Sequence, residues 1–214
     1  SYYLRIAANG GRDFYAILAR RLLGLQTKMV WENEPKSNRN NFSSLNQEKI
    51  TKRVIALVQV GQRYRAESDF KQLVSYANLP RKKALISAAE FFFMPGLALH
   101  AARSTVDNDS PEILRGLYPL PPWVPNGGFT LDRALIYAFM RQESAFRVKA
   151  KSRAGARGLM QLMPGTASYI SGHRYIGFKK NKLFDPILNI TLGQKYLRYL
   201  LKHDAVSGNL FLLA

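Results

Sequence analysis

Arg141-Gln142-Glu143-Ser144-Ala145-Phe146, followed by Gly155-Ala156-Arg157-Gly158-Leu159-Met160-Gln161-Leu162-Met163-Pro164, is the stretch whose reading decides the fold of this chain. It sets one carboxylate at the end of an apolar helical pattern, then a basic, glycine-punctuated segment able to fold back over it. Immediately upstream, Leu131 to Gln142 reads as a helix capped by Thr130, with Ala134, Leu135, Ala138 and Phe139 as its apolar stripe. Gly155 and Gly158 mark places where the backbone must take a positive φ or approach something closely. Leu159, Met160, Leu162 and Met163 surround Gln161 and form an apolar wall with a single amide. Methionine pairs at such spacing generally pack in a core, and Leu159 and Leu162 are assigned there.

Glu143 follows Ala138, Phe139 and Met140, and burial beside those groups would raise a carboxyl pKa and keep it protonated as a general acid. The basic residues after it pull the other way, so they are expected to point outward, towards a substrate. A glycosidase with two catalytic carboxylates holds them roughly 5–9.5 Å apart. After Gly128 the other acids are Asp132, Asp185 and Asp204. Asp132 lies about 16 Å up the same helix at about 1.5 Å per residue. Asp185 precedes Pro186 as a helix cap, and Asp204 falls at a helix end. No second catalytic acid is evident. A lone acid suits a reaction in which the substrate supplies its own nucleophile.

The formal charge of +18 on 214 residues calls for an anionic partner. From Ser144 to Phe184 nine bases occur and no acid. Chance runs of charge are ordinarily solvated faces, but this one begins directly after the candidate acid. The chain has no cysteine, which excludes disulfides and thiolate metal sites. His100, His173 and His203 lack metal-ligand spacing, so neither a metal nor a cofactor is expected.

Read outward, the chain is all-α. Helices are expected over Asp13–Gly24, Gln47–Val60, Tyr64–Tyr76 and Lys82–Phe93, from Pro95 to Arg103, and after Asp109-Ser110-Pro111-Glu112, with a loop over Trp31–Ser44. The four prolines of Tyr118–Gly128 forbid helix and mark a boundary. Pro164-Gly165-Thr166 opens a short helix to Ile170, and Asp185-Pro186 opens another to about His203. No apolar run reaches membrane-spanning length. The chain opens at Ser1 without a leader and stops in the apolar run Leu210–Ala214, so both ends read as cuts through a longer protein.

Ala138 to Phe146, Lys151-Ser152 and Gly155 to Ala167 together resemble the catalytic motif region of the soluble lytic transglycosylases. The resemblance is specific over Thr130–Leu200 and weaker over residues 1–117. It implies the end of a superhelical region at 1–25, a helical linker domain at 26–117 and a lysozyme-like catalytic domain at 118–214. It makes Glu143 the single acid/base that cleaves the bond between N-acetylmuramic acid and N-acetylglucosamine in peptidoglycan, closing a 1,6-anhydro ring without water. It places Ser152, Gly158, Met160, Gln161 and Met163 at positions that line or shape the sugar cleft, and Ser144 within the motif. Family members continue past Ala214 with a further substrate-contacting Tyr and Asn motif. Tyr137, Phe146 and Tyr169 are candidates for stacking on sugars. The implied setting is the periplasm, with peripheral association to the cell wall and glycan strands as the partner.

Three other readings compete. A lysozyme-type hydrolase of the same fold would admit water, which the missing second acid disfavours. A nucleic-acid binder fits the charge, but no nucleic-acid motif is present, so none is expected as a partner. An inactive helical scaffold binding polyanions would be indifferent to Glu143.

Overall fold

The computed structural model describes residues 2–10, 14–25, 45, 48–105 and 110–202. The expectations for Asp13, Trp31–Ser44, Asp109, His203, Asp204 and Leu210–Ala214 lie outside the described residues. Among the described residues there is no strand, only two isolated antiparallel bridges, so the chain is all-α as its periodicity predicts. Its residues gather into two compact units, one of residues 1–91 and 100–118, the other of residues 92–99 and 119–214.

In the first unit, α1 (Tyr2–Asn9) packs on α2 (Phe14–Leu22). Buried Ala8, Ala16 and Ala19 contribute little bulk to this pair. Arg20 ties the two by donating from Nε to the Ala8 carbonyl at 2.7 Å. The pair α3 (Lys49–Gln59) and α4 (Arg63–Ser75) forms a second hairpin. α3 buries Thr51, Val54 and Val58, the three-to-four-residue spacing of a one-faced helix. Gly61, at φ 76°, ends it, and α4 returns with Ala66, Phe70, Leu73 and Val74 inward.

α5 (Leu79–Phe91) is different in kind, since Ala84 through Ala89 are buried consecutively. Apolar or small on every side, it is a central helix with no solvent face along that run. It packs on α7 (Pro111–Leu117), where Arg115 pairs with Glu90 at 3.4 Å. The intervening α6 (Pro95–Arg103) begins in the second unit and ends in the first.

The second unit is built on α8 (Arg133–Ser144), α9 (Pro164–Ser171), a 3-10 segment (Gly177–Phe184) and α10 (Pro186–Leu201). α10 packs against α9 and the 3-10 segment. Its core includes Leu162, Ala167, Tyr175, Leu183 and Leu192.

Two sequence expectations for α8 are corrected. Its cap is Asp132 rather than Thr130: Asp132 Oδ1 accepts from the Ala134 and Leu135 amides at 2.7 and 3.4 Å. Thr130 is engaged elsewhere, its amide donating to Gln194 Oε1 at 3.1 Å. The buried stripe is Ile136, Met140 and Ser144, while Ala134 and Ala138 are exposed. α8 carries apolar side chains on both sides, and its packing partners choose which side is buried.

Candidate active site

Glu143 is the penultimate residue of α8 and is exposed. The expected burial beside Ala138, Phe139 and Met140 does not occur. Met140 is wholly buried, but Glu143 stands three positions on, to the side of the Ile136–Met140–Ser144 stripe. Ser144 belongs to that stripe, and its Oγ donates to the Met140 carbonyl at 3.0 Å. Its hydroxyl thus serves the helix end.

The helix stops abruptly behind the acid. Ala145 and Phe146 both take positive φ, 49° and 60°, a costly conformation for residues with a Cβ. The turn is braced from two directions. The Ala145 amide donates to the Arg141 carbonyl and the Phe146 amide to the Met140 carbonyl, at 3.1 and 3.3 Å, while the Phe146 ring is buried. On the other side, a Cβ at Gly96 would sit 3.0 Å from the Ala145 carbonyl oxygen, so only glycine lets the start of α6 come this close without displacement. Gly96 was not singled out from the sequence. Nothing local distinguishes it from a loop glycine.

From this turn a relay of hydrogen bonds reaches Gln161. The Arg147 amide donates to the Ser144 carbonyl at 3.1 Å and the Ala150 amide to the Arg147 carbonyl at 3.1 Å. The Ala150 carbonyl then accepts from the Gly158 amide at 2.9 Å and from Gln161 Nε2 at 3.2 Å. Gln161 Nε2 also donates to the Gly158 carbonyl at 2.8 Å, and Gln161 itself holds φ at 45°. The glycine-punctuated segment is therefore a tight hairpin, closed by paired bonds between Arg157 and Leu162. Ser152 closes the turn before it, its Oγ accepting from the Ala156 amide at 3.0 Å.

The base of the hairpin is pinned by Asn189 of α10, which sequence reasoning missed. Asn189 is 0% exposed. Its Oδ1 accepts from the Met160 amide at 2.8 Å, and its Nδ2 donates to the Arg157 and Leu183 carbonyls at 2.9 and 2.8 Å. Gly158, at φ 79°, lies against this amide: a Cβ there would fall 2.4 Å from both Asn189 Nδ2 and the Leu183 carbonyl oxygen. Gly193 one turn later accommodates Met160, whose Sδ would be 2.2 Å from an added Cβ. An asparagine inside the apolar run Ile187-Leu188-Asn189-Ile190 was the available sequence signal.

The predicted site residues thus divide by exposure. Gly158, Met160, Ser144 and Phe146 are buried. Ser152 and Gln161 are half-buried, and Met163 is 41% exposed at the start of α9. Tyr169, 69% exposed on α9, meets Tyr199 edge to face, and Tyr199 stacks on Tyr196. Tyr137 is half-buried, and burial pushes its phenol above the ordinary value, Arg133 opposing. No group of three or more His, Asp or Glu among the described residues is placed to hold a metal.

Helices α8 to α10, with the glycine hairpin between α8 and α9 and Glu143 at the end of α8, make this unit all-α. Residues 126–214 match the family model described as Transglycosylase SLT domain, and the chain accordingly carries a lytic transglycosylase SLT domain. The soluble lytic murein transglycosylase of Salmonella typhimurium is 30% identical over 201 residues, covering 88% of this chain and 29% of that protein. That of Escherichia coli K12 is 42% identical over 78 residues, 34% of this chain and 12% of that one. Among solved structures, the 70 kDa soluble lytic transglycosylase of Escherichia coli superposes with a TM-score of 0.76 at 26% identity, over 97% of this chain and 33% of its own. An inactive glutamate-to-glutamine mutant of the lytic transglycosylase Slt from Pseudomonas aeruginosa superposes at 0.72 with 25% identity, over 97% of this chain and 34% of its own. The chain spans about a third or less of the length of these relatives.

Proposed function

We propose that the second unit is a lytic transglycosylase module. It would cleave the β-1,4 bond between N-acetylmuramic acid and N-acetylglucosamine in peptidoglycan, in the periplasm, with Glu143 as its single acid/base. One observation carries the reading. The described acids of this unit are Asp132, Glu143 and Asp185, and Asp132 and Asp185 are both occupied as helix caps. Glu143, exposed at the end of α8, caps no helix.

The chemistry then needs no second carboxylate and no bound water. Glu143 gives its proton to the glycosidic oxygen as the bond from muramyl C1 breaks. The resulting carboxylate takes the proton of the muramyl C6 hydroxyl, whose oxygen bonds to C1 and closes the 1,6-anhydro ring. The proton returns to Glu143, and the products balance the substrate with nothing added. General acid–base assistance of this kind is worth about 10²- to 10⁴-fold in rate.

Exposure supports a division of the remaining roles. Gln161, with Nε2 committed to the Ala150 and Gly158 carbonyls, offers Oε1 to a sugar hydroxyl or acetamido N–H. Met163 offers an apolar surface to a sugar ring, and Tyr169 an aromatic one. Ser152, Gly158 and Met160 act by shaping the hairpin, and Ser144 and Phe146 by fixing the turn that presents Glu143. The basic residues from Arg147 to Arg157 suit the carboxylates of peptide stems.

Digesting purified peptidoglycan with the chain and with Glu143→Gln, and weighing the products, tests this. Anhydromuramyl ends, one water lighter than hydrolysed ends and absent with the variant, are expected. Hydrolysed ends would replace the reading with a lysozyme, and cleavage unchanged by the substitution would remove Glu143 from it.

A further inference from the structure

The turn between α9 and α10 carries a feature the proposed reaction does not use. Tyr175 and Leu183 are both buried in one core cluster with Leu162, Ala167 and Leu192. The Tyr175 amide is further held by Ser168 Oγ at 2.9 Å. Between these two anchors the chain projects an apolar tip: Phe178 is 95% exposed and Ile176 57%. The Lys179 amide donates to the Ile176 carbonyl at 3.0 Å, a local bond that brings the two tip residues into one turn. Burial of the flanking residues, rather than any contact of its own, keeps the phenylalanine out in water.

The charged residues that flank this tip in sequence are all cationic. Arg174, Lys179 and Lys182 are exposed and Lys180 is half-buried. No acid occurs anywhere from Ser144 to Phe184, and Asp185, the first one after, is occupied in capping α10. Bare aromatic and aliphatic side chains flanked by long cationic ones match the boundary of an anionic bilayer. There the apolar groups enter the acyl region and the ammonium groups meet lipid phosphates. A glycan strand would engage chiefly the Phe178 ring face, whereas the acyl region of a bilayer takes up Phe178 and the aliphatic Ile176 alike. We propose that the Arg174–Lys182 turn is a membrane-docking tip that seats Phe178 and Ile176 in the surface of an anionic phospholipid bilayer, held by Arg174, Lys179, Lys180 and Lys182.

This goes beyond the proposed reaction and does not depend on Glu143. The test is co-sedimentation of the full chain with vesicles of phosphatidylglycerol mixed with phosphatidylcholine, with pure phosphatidylcholine vesicles and insoluble peptidoglycan in parallel. Binding to the mixed vesicles, weak on pure phosphatidylcholine and falling with salt, is expected. Phe178→Ser should weaken it about tenfold, in line with losing most of one buried aromatic side chain. K179Q/K180Q/K182Q should weaken it on the order of 100-fold, at about fivefold per lysine. All four positions lie on the surface, and circular dichroism checks that each variant folds. Phe178→Trp should add a blue-shifted emission on the mixed vesicles over that of the unsubstituted chain. Equal binding to both vesicle types, or no blue shift, overturns the proposal. So does a loss confined to peptidoglycan, which would make the tip a glycan subsite instead.

Discussion

Asn189→Ala is the sharpest perturbation of the architecture that carries Glu143. The substitution deletes three hydrogen bonds of 2.8, 2.9 and 2.8 Å at a side chain with no solvent exposure. It leaves the Met160 amide and the Arg157 and Leu183 carbonyls without that partner. An orphaned buried polar group costs about 1–3 kcal/mol, with carbonyls at the low end because a second lone pair remains. The Arg157 carbonyl keeps the Leu162 amide at 3.1 Å, so the cost falls on the Met160 amide and the Leu183 carbonyl and sums to about 2–4 kcal/mol before any cavity contribution. Against a typical domain stability of about 5–15 kcal/mol that is a large fraction. With a urea dependence of about 1–3 kcal/mol per molar, the unfolding midpoint should fall by on the order of 2 M. Hydrogen exchange gives a site-resolved reading: the Met160 amide should lose protection more than amides in the middle of α8. Lys195→Ala, exposed on the same helix, serves as the control and should stay within about 0.5 kcal/mol of the unsubstituted chain. If Asn189→Ala moves the midpoint no further than that control, or leaves Met160 exchange unchanged, the side chain does not hold the hairpin and the reasoning fails.

Because Glu143 is exposed, Glu143→Gln should leave the melting temperature nearly untouched while cutting peptidoglycan cleavage by about 10²- to 10⁴-fold; calorimetry and product analysis on one sample separate folding from chemistry. Gly193→Ala should destabilise despite the roughly 1 kcal/mol helix gain of alanine, since its Cβ would meet Met160 Sδ at 2.2 Å. Adding Met160→Ala should recover part of that loss, and a double-mutant cycle with no coupling would contradict the contact. Glu90 gives a pH signature: burial raises its carboxyl above the ordinary 4.5, outweighing the pull of Arg115. Its contribution to stability is therefore fully present below about pH 4.5 and is lost as pH rises through the raised folded value. Glu90→Gln should remove that decline, and identical pH profiles of thermal stability for the two proteins would refute it.

Much of the helix inventory is legible because its signals are local. Asp185-Pro186 announces α10 in two residues, and the Asp185 carboxylate accepts from the Leu188 amide at 2.7 Å as a cap should. Gly61 ends α3 through its own positive φ. The errors arise where the deciding partner is remote. Thr130 looks like a cap, but its amide is taken by Gln194, 64 residues away, and Asp132 does the capping. α5 begins at Leu79, three residues before the expected start, with Pro80 in its first turn, where a missing N–H costs no intrahelical bond. Glu143 was expected to be buried because its sequence neighbours are apolar. Sequence adjacency does not place two side chains on the same side of a helix.

By itself the sequence determined that this chain is all-α, where most helices start and stop, and which short motif resembles the lytic transglycosylases. All of these are encoded within a few residues, by caps, glycines, prolines and helical spacing. Only the tertiary structure decided which face of α8 is buried, that Gly96 admits the start of α6 against the Ala145 carbonyl, and that Asn189 pins the glycine hairpin from across the unit. Each of these depends on groups tens of residues apart meeting at contact distance. A hydrogen bond or a van der Waals contact is fixed by position in space, and local sequence does not carry that position.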